Sequence, residues 1–144
     1  MMNNQNGMSI IENLVAMTVL SIAGFGFIAT SVASIGMMKT GVERSAAARA
    51  ASSVANTLYY QRGNRAGLAA ELISFPKTVV EDETHKTYTV EIASLNNHVG
   101  SAVSASALPK HGVMVMTLAV NYSERPGLMQ SVKKTLHQTY TMDF

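Results

Sequence analysis

Residues 13–38 contain no Asp, Glu, Lys or Arg. A helix needs about 20 consecutive apolar residues to cross a bilayer core of about 30 Å, and this stretch exceeds that length. Its small residues, Ala23, Gly24, Gly26, Ala29, Ser31 and Ala33, let another helix approach closely. Gly24 and Gly26 also lower helix propensity, so local bending is expected around them.

Three readings of the segment compete. A secretory signal would have a shorter apolar core, about 7–15 residues, behind a positive leader. Residues 1–6 carry no Lys or Arg, although Ser31-Val32-Ala33 offers a small-residue cut site. A plain single-span anchor is long enough, but Lys39, Arg44 and Arg49 follow it. The positive-inside rule would then favour a cytoplasmic carboxy-terminal part. Neither reading accounts for Glu12, four residues into the apolar run that begins at Met8. A carboxylate in lipid costs a few kcal/mol and needs a partner. The macrodipole at a helix start returns only about 0.3–1 kcal/mol. A free amine at Met8 would supply the partner, within one chain at i to i+4 or between neighbouring chains.

Residues Gly7-Met8-Ser9-Ile10-Ile11-Glu12 resemble the Gly-Phe-Thr-Leu-Ile-Glu processing motif of type IV prepilins and pseudopilins. Residues 11–26 resemble PilV-type minor pilins and the minor pseudopilins of type II secretion. The resemblance covers about the first third of the chain. It implies cleavage after Gly7 by a prepilin peptidase, N-methylation of Met8, and a role for Glu12 in neutralising the amine of an adjacent subunit. It further implies a leader at 1–7, a transmembrane and filament-core helix at 8–38, and a periplasmic head at 39–144 whose half-helix covers 39–62. The amino terminus would be cytoplasmic in the bacterial inner membrane before assembly into a pilus or pseudopilus. The partners implied are other pilin subunits, the peptidase, an inner-membrane assembly platform and lipid.

The helix is expected to run on past the membrane. Val42, Ala46, Ala50, Val54 and Leu58 recur at helical spacing, with Ala47, Ala51, Ala55 and Tyr59 beside them. It is expected to end near Arg62-Gly63-Asn64 through a left-handed glycine. A helix over 9–61 would be about 80 Å long, more than the remaining 80 or so residues can bury. Its first half must therefore sit in lipid or among like helices. Strand-like alternation covers 86–95, 112–124 and 131–142, and Arg125-Pro126-Gly127 reads as a hairpin turn. A short helix is expected over 66–75, ended by Pro76, a strand near 78–80, and a surface loop over 96–111. The fold class expected is α+β: a long helix packed on a small antiparallel sheet of three or four strands.

The remaining sequence offers little chemistry. Cysteine is absent, which removes disulfides, thiolate zinc sites and cysteine nucleophiles. His85, His98, His111 and His137 have no metal-ligand spacing, so no metal or cofactor is expected. Neither a Gly-x-Ser-x-Gly elbow nor a phosphate loop occurs, so no enzyme is expected. A net charge of +2 gives little support for nucleic-acid binding. The ten methionines read as core filling. Glu81-Asp82-Glu83 reads as a solvated turn, and Lys133-Lys134 as the guard of a sheet edge. The function expected is a structural minor pilin. A minor pseudopilin of a type II secretion or competence system is the near alternative, and a plain membrane-anchored binding domain the distant one.

Overall fold

The structure, a computed structural model, describes residues 10–81, 83, 85–124 and 132–144. Helix α1 spans Ile10–Tyr60, 51 residues, or about 77 Å at 1.5 Å per residue. It closes through one 3-10 turn, Gln61–Gly63. Asn64 then turns the chain, its amide donating to the Gln61 carbonyl at 2.8 Å. The helix therefore ends where expected but by another device, since the left-handed glycines are Gly100 and Gly112 rather than Gly63. Asn64 also caps helix α2, Arg65–Ile73, by accepting from the Gly67 amide at 3.1 Å. A Cβ on Gly67 would come within 2.8 Å of the Asn64 side chain, so the cap itself calls for glycine there.

Four strands follow: β1 Lys77–Glu81, β2 Lys86–Asn97, β3 Val113–Glu124 and β4 Val132–Asp143. They form one antiparallel sheet in sequence order, so every connection joins neighbours. The fold is α+β as expected. The 78–80 strand is real and slightly longer, and β2 runs two residues past Leu95. The expected turn at Arg125-Pro126-Gly127 lies outside the described residues, although Glu124 pairs with Val132 across its mouth.

One face of the sheet packs on the second half of α1. Ala46, Ala47, Ala50, Ala51, Val54, Ala55 and Leu58 are buried against Val90, Met114, Met116, Leu118 and Val120. Alanine at four- and three-residue steps lets the helix backbone lie close to the sheet, and the methionines fill the space left over. Leu68 and Leu72 of α2 close one end. Two expected members of the stripe stay outside. Val42 is 53% exposed, one turn before the helix settles on the core. Tyr59 is half-exposed, with the Arg62 guanidinium 4.1 Å from its ring centre. On the opposite face Ala119 is buried as well. It lies in the ladder between Glu91 and His137, two longer side chains.

The 98–112 connection crosses the surface, as expected, but it is pinned down. The Val103 amide bonds the Leu95 carbonyl at 2.8 Å, and the Asn97 amide bonds the Ser101 carbonyl at 2.8 Å. The Arg65 guanidinium donates to the Leu108 carbonyl, and the Phe144 amide to the Gly112 carbonyl at 2.9 Å. The loop thereby occupies the edge of β2 beyond the reach of the shorter β1, an edge that would otherwise be open to foreign strands.

Candidate functional site

The first half of α1 touches none of the head's core. Ile10, Leu14, Met17, Leu20, Phe25, Phe27, Ile35 and Met38 are all exposed. The helix is long and apolar enough to cross a membrane, and its most apolar stretch has no buried residue. A soluble protein would not leave so large an apolar surface uncovered. This surface needs lipid or other helices.

The polar groups inside the span are handled locally. Thr18 donates to the Leu14 carbonyl at 2.8 Å and Ser21 to Met17 at 2.7 Å. Thr30 donates to Gly26 and Phe27, Ser31 to Phe27 at 2.8 Å, and Ser34 to Thr30 at 2.9 Å. Every hydroxyl between residues 14 and 38 is thus bonded back onto its own helix. This is what a hydrocarbon medium demands, since an unmet donor there costs several kcal/mol. Around Gly24 and Gly26 a Cβ would meet nothing within 4 Å, so these glycines do not serve the head's packing. The helix is not interrupted near them: α1 is continuous from Ile10 to Tyr60.

Glu12 stands exposed in the first turn of α1, where the helix dipole favours a carboxylate. Gly7 and Met8 lie outside the described residues. The structure therefore fixes the position of one of the three residues singled out for processing and assembly.

The sequence reading missed an ion cluster in the head. Glu81 is 7% exposed and is not part of a solvated turn. The Arg49 side chain reaches it from α1, with Nε 2.8 Å from Glu81 Oε1 and Nη2 2.8 Å from Glu83 Oε2. The bond to Glu81 raises the Arg49 pKa above its already high ordinary value. A cation with a raised pKa gives stability that is lost only as pH climbs through that value, so the clamp's arginine stays charged across the working range. The clamp fastens the short edge strand β1 to the helix. No signal in the sequence links residue 49 to residue 81. The only hint is a carboxylate directly after the apolar pair Val79-Val80 in a short strand. Arg49→Ala would leave Glu81 buried without its cation, and is expected to lower the head's melting temperature by several degrees. Glu83→Ala, which removes only the exposed arm, should shift it far less. Equal shifts in thermal melts would refute the clamp.

Among the described residues no three His, Asp or Glu side chains converge, and His85, His98, His111 and His137 are all exposed. No curated protein and no solved structure matches the chain. Residues 2–28 match the family model described as the prokaryotic N-terminal methylation motif. With that motif placed directly on an exposed, membrane-length helix, the chain carries the leader of a type IV pilin-like prepilin.

Proposed function

We propose that this protein is a non-enzymatic structural subunit, a minor pilin that helps initiate, build or modify a type IV pilus. Residues 1–7 are its leader, 8–38 its membrane and filament-core helix, and 39–144 its head. Prepilin peptidase cuts after Gly7 and methylates Met8. The observation that carries the reading is one uninterrupted helix whose second half is the spine of a folded head, while the most apolar stretch of its first half has no buried residue. Such a helix is at home in lipid before assembly and among like helices afterwards, so the same surface serves both states. A minor pseudopilin would work by the same mechanism in a secretion system. The energy for extraction comes from an assembly platform and motor supplied by other chains.

Glu12 sets the axial register by pairing with a neighbour's methylated amine. Glu12→Ala should leave membrane insertion intact and lower incorporation into filaments about tenfold or more, because an unpaired charge in an apolar bundle costs a few kcal/mol. Immunoblots of sheared filaments against membranes would read this, and wild-type incorporation would sink the pairing. The proposal as a whole is tested by the intact mass and amino-terminal sequence of protein from its native membrane. A chain starting at N-methylated Met8 supports it. A start near Ser34 would make the segment a secretory signal, and a start at Met1 or Met2 would make it a plain anchor.

A further inference from the structure

We propose that the base of the head, where the span meets the sheet, binds the headgroup of an anionic phospholipid. This rests on the membrane reading of α1. Two adjoining open hollows of about 660 and 540 Å³ lie there, within the roughly 300–1,000 Å³ of small-ligand sites. They share Glu43, Lys86 and Ser123. Met38 and Val42 form the apolar wall of the first hollow, continuous with the span, and Lys39 lies on its rim. Lys133 lines the second.

The charge balance favours an anion. Glu43 is already engaged, accepting from the Lys86 ammonium and from the Tyr88 hydroxyl at 3.2 Å. Lys39 and Lys133 are exposed and have no acidic partner among the described residues. Two ammonium groups thus border a groove in which the one carboxylate among the described lining residues is neutralised. Lysine binds phosphate as a compact point charge, and its stem lies along apolar surface while the head seeks the polar layer.

The depth also fits. Residues 10–38 span about 43 Å as helix, close to the 40–45 Å of a bilayer with its headgroups. With Ile10 at one surface, Met38 and Lys39 lie at the other, level with lipid phosphates. The apolar wall of Met38 and Val42 would take the first carbons of an acyl chain, and the lysines the phosphate. The geometry is the same whichever side of the membrane the head occupies.

The test uses the full chain in nanodiscs of phosphatidylcholine mixed with phosphatidylglycerol, with retained lipids counted by native mass spectrometry. The wild type should retain phosphatidylglycerol preferentially. Lys39→Gln/Lys133→Gln should lose most of that preference, about five-fold for each lysine, while Lys110→Gln on the 98–112 loop should keep it. Equal retention by the double variant, or an equal loss in Lys110→Gln, would overturn the groove in favour of diffuse attraction. Dimers with no lipid preference would overturn it in favour of a second copy. Displacement of the lipid by millimolar glycerol phosphate would overturn it in favour of a free phosphate. A chain that fails to enter pure phosphatidylcholine discs would instead sink the membrane reading beneath it.

Discussion

Leu118→Ala is expected to destabilise the head by about 2–5 kcal/mol, toward the upper end of that range. Leu118 is fully buried at the middle of β3, paired with Ile92 on one side and Gln138 on the other. The wall opposite is the alanine stripe of α1. Alanines have no rotamers with which to collapse into a void, and the helix is held along the whole stripe, so the cavity stays open. Denaturant unfolding of the full chain in micelles measures the loss. Tyrosine fluorescence suits the purpose because the chain has five tyrosines and no tryptophan. The helical signal of residues 10–38, which share no core with the head, should persist through the transition. A loss below about 1 kcal/mol would show that the helix can close on the sheet after all.

Gly7→Val is expected to abolish maturation outright. The leader resembles those cut after glycine, and a β-branched residue replaces the one side chain that leaves the backbone beside the scissile bond open on all sides. The unprocessed chain should remain in the membrane, heavier than the mature form by the seven-residue leader and without the methyl group. It should also be missing from filaments, because the uncut Met8 nitrogen stays a neutral peptide amide and offers no cation to Glu12 of a neighbour. Intact mass of the membrane fraction decides the matter. Normal mature protein from this variant would refute Gly7 as the cut site.

The long helix and strands β2 to β4 were legible because each shows its period over many residues. Alternation in 113–124 puts Met114, Met116, Leu118 and Val120 on one face, and these are buried in the core that the helix covers. What the sequence concealed is contact between distant segments. Glu81 looks like one of three acids in a turn until Arg49, 32 residues earlier, is brought beside it. Tyr59 fits the apolar stripe by spacing, yet the helix ends just beyond it and Arg62 folds over the ring. Val42 shares the stripe's period, but it borders the open hollow beside Lys86 and Ser123 instead of entering the core. Periodicity says which face a residue is on and nothing of how far along that face the partner reaches. For the candidate site the order is reversed: Gly7, Met8 and Glu12 are local in sequence and readable there, whereas the groove between Lys39 and Lys133 exists only once the chain is folded.

The five hydroxyls bonded back onto the span leave no hydroxyl proton to donate to a neighbour between residues 14 and 38. Apolar rods of this kind can slip lengthwise or turn against one another with little resistance. In the filament proposed above, such rods would yield under load by small slips between helices along the stretch beyond the Glu12 ends. Tension would be absorbed by the most featureless part of the molecule.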